Sequence, residues 1–362
     1  RSMQHAVGGT HLRARPIVLS VALFLLLTLL VIVPASPARA ATFAVNSTSD
    51  VAGSGDLTDG SCDDGGGNCT LRAAVQEANG FAGADEIDLS ADTYTLSLGA
   101  AGEDAAATGD LDIASDVTIN GAPGGTTIDA NSIDRVFHVL SGASLTLNNV
   151  TITGGAAATG AGIRVNAGAT LTINGSTVTG NSATGHGGAI YAAGDVTADL
   201  VTISGNSAGT TAGDGGGMYS AGGTHALTST TVAFNDADNG GGLAQSAGTL
   251  PIGHTILSNN TATTSGNQCF GAVTSGNRNV IAATAGCDFT PAANDTTGTA
   301  AGLVALADNG GPTETHALNG TSVALDVGGT CSENDQRGID RGASCDAGAF
   351  EAIQVQFNAA IA

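Results

Sequence analysis

The phrases VTITGG (150–155), STVTGN (176–181), VTISGN (201–206), TTVAFN (230–235) and HTILSNN (254–260) are one phrase written five times. Aligned on Gly155, Asn181, Asn206, Asn235 and Asn259, they step by 26, 25, 29 and 24 residues. A second phrase runs in phase with the first: GAGIRV (160–165), GGAIYA (187–192), GGGMYS (215–220) and GGGLAQ (240–245). LTLN (145–148) and LTIN (171–174) complete the unit. Each repeat holds three short segments of β-type alternation divided by Gly, Asn, Ser and Thr, with no helical period. One such unit cannot bury its own apolar face, whereas stacked units can, each strand bonding to its equivalent one coil away. The spacing predicts an all-β chain, a right-handed parallel β-helix (a solenoid with three strands per coil). A β-sandwich is the competing reading, and two motifs in phase argue against it.

Alternation sends Leu171, Ile173, Val178 and Ile190 inward and Thr172, Thr177 and Thr179 outward. Ile152, Val178, Ile203, Val232 and Ile256 are expected to stack as one interior column. An Asn at one recurring turn suits a ladder of side-chain amides, predicted to run Asn181, Asn206, Asn235, Asn259. Gly155 cannot join it, so the ladder starts one coil later.

Glycine supplies 55 of 362 residues, yet hydrophobic residues make up 42% and are evenly spread, so the glycines are read as turns rather than as disorder. All ten basic residues are Arg, four of them before residue 41. The rest of the chain therefore sets 32 acidic side chains against six Arg, a surface that repels nucleic acid and anionic lipid. The N-terminus has the form of an export signal: Arg13 and Arg15, an apolar run over 17–33, then Ala38-Arg39-Ala40. Cleavage is expected between Ala40 and Ala41, releasing a monomer with no membrane contact outside the cytoplasm. Retention of 17–33 as an anchor is the alternative. Six cysteines fit an oxidising compartment and fall into local pairs, Cys62–Cys69, Cys269–Cys287 and Cys331–Cys345.

These features divide the chain into a signal (1–40), an N-terminal cap (41–85), the β-helix (86–265) and a C-terminal region on continuing coils (266–362). In the cap, residues 71–79 read as an amphipathic helix closed by Gly80, suited to covering the open end of the solenoid.

Two flanking segments carry a family likeness. CTLRAAVQEAN (69–79) resembles the CSLREA domain of exported bacterial β-helix proteins, with Ala in the place of the family's Glu. DNGGPTETHAL (308–318), SVALDVG (322–328), DQRGIDR (335–341) and CDAGAFE (345–351) resemble the choice-of-anchor Q domain. GNSATGHGGAI (180–190) and FNDADNGGGL (234–243) are also similar to repeats of polymorphic outer-membrane proteins. The likeness implies a surface-associated right-handed β-helix of pectin-lyase-like fold.

Chemistry is harder to find. The second phrase aligns His186, Asp214 and Asn239 in one column, with Asp236 and Asp238 in the same loop region. A His beside carboxylates on adjacent coils has the makings of an acid/base pair, so His186, Asp214 and Asp238 are the catalytic candidates, set against the plainer reading of solvated turn residues. Arg135 and Arg164 are the basic side chains within the coils, and stacked aromatics for gripping sugars look scarce. Asp56, Asp59, Asp63 and Asp64 offer a Ca²⁺ loop without EF-hand spacing, and no other cofactor is implied. His138, His225 and His254 differ in phase and read as surface or turn residues. The sequence thus predicts an exported structural or adhesive protein without catalysis, its partners extracellular polysaccharide or cell-surface components. A polysaccharide lyase or glycoside hydrolase is the first alternative, and a non-catalytic carbohydrate-binding protein the second.

Overall fold

The computed structural model describes residues 39–99, 102–209, 212–329 and 334–353. Within them the chain winds as a parallel β-solenoid with three strand faces. In the coil that begins at Ile163, face one is Ile163–Val165, face two Thr170–Asn174 and face three Thr177–Thr179. Each pairs in parallel, in strict register, with its equivalents in the coils before and after. Face three alone contains nine strands, from Thr93–Thr95 to Thr296–Thr297. Faces one and two join where Met218–Thr228 runs unbroken around the corner between them.

The alternation read from the sequence holds. Leu171, Ile173, Val178 and Ile190 have no solvent exposure. One interior column of face three is Ile152, Val178, Ile203, Val232 and Leu257. Leu257, not Ile256, completes it. Ile256 pairs with Thr231 on the outward side and is buried there by the C-terminal segment.

The same one-residue slip corrects the ladder. Its members are Asn181, Asn206, Asn235 and Asn260, each Nδ2 donating at 2.9–3.0 Å to the Oδ1 of the next. Gln268 Oε1 ends the row, accepting from Asn260 Nδ2 at 2.8 Å. Asn259 is not part of it. The residue before each ladder Asn has a left-handed backbone (Gly180 φ 67°, Gly205 φ 67°, Phe234 φ 57°), and Asn259, at φ 61°, takes that place. Asn tolerates this conformation better than most side chains, which is why two adjacent Asn serve two different needs. A second amide row, not foreseen, closes face two: Asn174 donates to Asn148, Asn148 to Asn120 and Asn120 to Asp88.

His225 is another correction. It pairs with Val196 on the inward side of face two, is 1% exposed, and bonds through Nε2 to Ser220 Oγ at 2.8 Å. A Ser–His pair in this setting is a buried polar contact without access to substrate.

The N-terminal end of the solenoid is covered. The helix Leu71–Gly80 buries Leu71, Ala74, Val75 and Ala78, and Thr70 caps it by accepting from the Ala73 N–H. Gly80 lies inside the helix, which ends as the Phe81 N–H bonds to Glu77. Its role is close approach: a Cβ there would collide with the Leu57 carbonyl. At the other end the coils continue to Thr296–Thr297, after which the chain turns back and lies along face three. There Thr177 Oγ1 donates to Glu314 O, Ser204 pairs with His316, Thr202 with Gln336, and the Ala349 N–H with Thr231.

We expect Asn260→Ala to cost about 2–3 kcal/mol, because it strands buried backbone and amide groups. Asn259→Gly should stay within about 1 kcal/mol of the parent. Denaturant unfolding of the two variants checks the register.

Candidate functional site

A three-residue strand points one side chain outward, and strict register stacks those side chains into a file. On face one the file is Asp112, His138, Arg164, Tyr191, Tyr219, Ala244 and Phe270. Arg164 lies 5.5 Å from the Tyr191 ring centre, and Tyr191 stacks on Tyr219 at 5.6 Å. Arg164 is oriented by Asn166 and Thr159, which accept from Nε and Nη1. These rings are the aromatic platform that the sequence seemed to lack. The signal was present in the GAGIRV, GGAIYA and GGGMYS phrases, whose second-last residues are Arg164, Tyr191 and Tyr219. It becomes visible once one asks which residue of each phrase faces out.

From Ile163–Val165 onward, the loop before each of these strands turns on a left-handed glycine: Gly160, Gly187, Gly215, Gly240 and Gly266. A Cβ on Gly187 would strike the Ile190 carbonyl. The residues just before these glycines form a second file beside the first, and His186, Asp214 and Asn239 do meet in it. His186 Nδ1 lies 3.6 Å from Asp214 Oδ2 and accepts the Asp214 N–H at 3.1 Å. Asp214 Oδ1 accepts from Asn239 Nδ2 at 2.9 Å. The imidazole stacks on Tyr219 at 4.4 Å with an interplanar angle of 17°. His186 therefore belongs to the aromatic platform as much as to the polar column. Asp238 is spent on the neighbouring coil, accepting from the hydroxyls of Thr263 and Thr264.

The acidic loop of the cap does not converge. Asp56, Asp59, Asp63 and Asp64 each accept from backbone N–H groups two to four residues ahead, closing their own turns. Among the described residues, the one group of three or more potential metal ligands is Asp104, Asp112 and His138. Cys62–Cys69 and Cys269–Cys287 are disulfides, as the spacing predicts. Cys345 is disulfide-bonded as well, and Cys331 lies outside the described residues.

The arginines of the 69–79 and 335–341 segments are engaged inside the fold. Arg72 is fully buried, paired with Asp50 at 2.6 Å, and donates to the carbonyls of Ala106, Gly109 and Asp110. Burial pushes the Asp50 carboxyl up, but Arg72 and the N–H groups of Ser97 and Leu98 outweigh it and hold the group below its usual range. In the tail, Asp335 accepts from Arg337, whose guanidinium lies 3.6 Å from the Phe350 ring centre. Buried Arg341 donates to the carbonyls of Asp346 and Gly348.

At the head of face one, Asp110 bonds to Arg135 at 2.6 Å. Burial, reinforced by the neighbouring Asp112 charge and only partly offset by Arg135, pushes its carboxyl up to about 6. A carboxyl raised above its unfolded value binds its proton more tightly when folded. Its contribution is most favourable below pH 4 and is lost as pH rises through 6. Asp110→Asn should therefore gain stability over the parent as pH goes from 4 to 8, by up to about 3 kcal/mol. Unfolding curves at the two pH values check the sign.

No family model matches the chain, and no curated protein matches it. Among solved structures, the chain is similar to pectate lyase Pel9A at 16% identity and a TM-score of 0.44, over 86% of this chain and 96% of that one. The solenoid assignment rests on the strand pairing itself. The disulfides fit an oxidising environment, and no helix among the described residues is long and apolar enough to cross a membrane.

Proposed function

We propose that this chain is an exported, non-catalytic β-helix that holds extracellular or cell-surface polysaccharide along face one. The carrying observation is the stack of His186, Tyr219 and Tyr191 with Arg164 at its edge. Aromatic side chains on a rigid sheet present apolar surface to sugar C–H groups with phenolic hydroxyls at the margin, and Arg164 adds a donor suited to sugar hydroxyls or carboxylates. Such a surface grips through several weak contacts in a row and needs no bond-breaking group. The resemblance of 69–79 and 308–351 to the CSLREA and choice-of-anchor Q segments supports an exported, surface-associated setting. So does the Ala38-Arg39-Ala40 cleavage signal. Neither Ca²⁺ nor another cofactor enters this reading.

The close approach of His186 to Asp214 favours a second reading, a polysaccharide lyase or hydrolase. Against it, His186 Nδ1 is engaged by a backbone N–H and Asp214 by Asn239, so both are committed to the turn.

The two readings part on a panel of neutral and acidic polysaccharides, with and without Ca²⁺. Retention without new reducing ends or unsaturated products is the expected result, weakened at least tenfold by Tyr219→Ala. His186→Ala and Asp214→Ala should each change stability by less than about 1 kcal/mol. Turnover that falls a hundredfold in either variant would establish the enzyme instead.

A further inference from the structure

The head of face one gathers ligands of mixed chemistry. His138 Nδ1 lies 3.1 Å from Asp112 Oδ1 and 3.5 Å from Asp104 Oδ1, and all three ligand atoms are within 4.8 Å of one another. Ligands about 2.1 Å from a shared ion are separated by about 3.0–3.4 Å along the edges of an octahedron or tetrahedron, so the Asp112–His138 edge is already of metal-site size and the Asp104–His138 edge, at 3.5 Å, is slightly longer. Asp112 is fully buried and fixed by the Ala106 N–H on its other oxygen. Ala106 itself adopts φ 53° to offer that N–H, and Arg72 holds its carbonyl. Asp104, by contrast, is 71% exposed, which leaves one side open to ions and water. Asp110 and Asp134 lie close by, both almost fully buried, and Asp134 Oδ2 has no hydrogen-bond partner. The pocket thus gathers four carboxyl groups around the one guanidinium of Arg135.

We infer that Asp104, Asp112 and His138 form a site for a divalent transition cation of the Zn²⁺ type, with open positions for water or a ligand oxygen. An imidazole with two carboxylates suits such an ion better than Ca²⁺, which favours an all-oxygen shell. The inference does not rest on the saccharide reading, since affinity is measured on the protein alone. The untagged chain is titrated calorimetrically with Zn²⁺ and with Ca²⁺, and the visible spectrum of its Co²⁺ form is recorded. One Zn²⁺ per chain is expected, weakened at least tenfold by Asp104→Asn and by His138→Gln, with loss of the Co²⁺ band in the latter. Asp104 is exposed, so its variant keeps the test sound if His138→Gln folds poorly. Asp63→Asn in the cap should change nothing. Absence of Zn²⁺ binding, preference for Ca²⁺, or an equal loss in Asp63→Asn overturns the site.

An independent observation concerns the first coil. Asp85 aligns with Val117, Leu145, Leu171, Val196 and His225, so it points into the core. It is 1% exposed, and one of its oxygens has no partner. The other accepts the Ala41 N–H at 2.7 Å. Ala41 is the residue whose nitrogen cleavage after Ala40 would turn into an ammonium group. We propose that Asp85 is the built-in counter-ion of the processed N-terminus, so that signal removal itself completes the first coil. The ammonium would offer three donors and a charge where an uncleaved chain offers one neutral N–H. This rests on cleavage after Ala40, which N-terminal sequencing tests separately. The ion pair is tested on two purified chains, one beginning at Ala41 and one at Arg39. The shorter should unfold at a higher denaturant concentration, and acetylating its α-amino group or introducing Asp85→Asn should remove the difference. Equal midpoints, or a difference that survives Asp85→Asn, overturn the proposal.

Discussion

Everything in this molecule depends on hydrogen bonding between coils. A strand of three residues has no stability of its own. Here its N–H and C=O groups are satisfied by the equivalent strand one coil away, about 4.8 Å along the axis. No coil can be folded without a neighbour, and the register of one fixes the register of the next. The interior Asn row from Asn181 to Asn260 enforces that register at the turn, because each amide must bond at once to its own coil and to the adjoining ones. Slipping one strand by a residue would break the row and turn that strand's inward side chains to the outside.

The same constraint makes the two ends the costly parts of the fold. An uncovered coil presents unpaired strand edges and core side chains. The cap meets this with the helix Leu71–Gly80, tied down by Arg72 to Asp50 and to three carbonyls of the 106–110 segment. The chain after Thr297 meets a different need, covering the outward side of face three. Gln336 binds Thr177, Thr202 and Thr313 together, and Arg337 and Arg341 hold the tail's own turns closed. The arginines of the 69–79 and 335–341 segments are thus mostly rivets, and their chemistry is spent inside the fold.

Stacking also explains where function can arise. A strict repeat turns any outward position into a file, so a change of residue from coil to coil writes a gradient of chemistry along the axis. On face one that gradient runs from carboxylate through imidazole and guanidinium to phenol and benzyl rings, Asp112 to Phe270. A carboxylate–imidazole end and an aromatic stretch thus lie on one rigid sheet.

The repeat alone determined the solenoid, its three strands per coil, the inward alternation and the meeting of His186, Asp214 and Asn239. Period and phase are local properties, written in each coil, and five copies average out the noise. Where a phrase was ambiguous within itself, as in HTILSNN with two apolar residues and two Asn side by side, only backbone geometry could separate Asn259 from Asn260 and Ile256 from Leu257. His225 looked like a turn residue because its strand continues through the corner at 221–224, a path that no period reveals. The pairing of Arg72 with Asp50, the approach of Asp104 to His138 and the return of the tail over face three join residues 22 to 159 positions apart, or on different structural units. Such contacts follow from how finished coils and loops pack against each other, so the tertiary structure decided them.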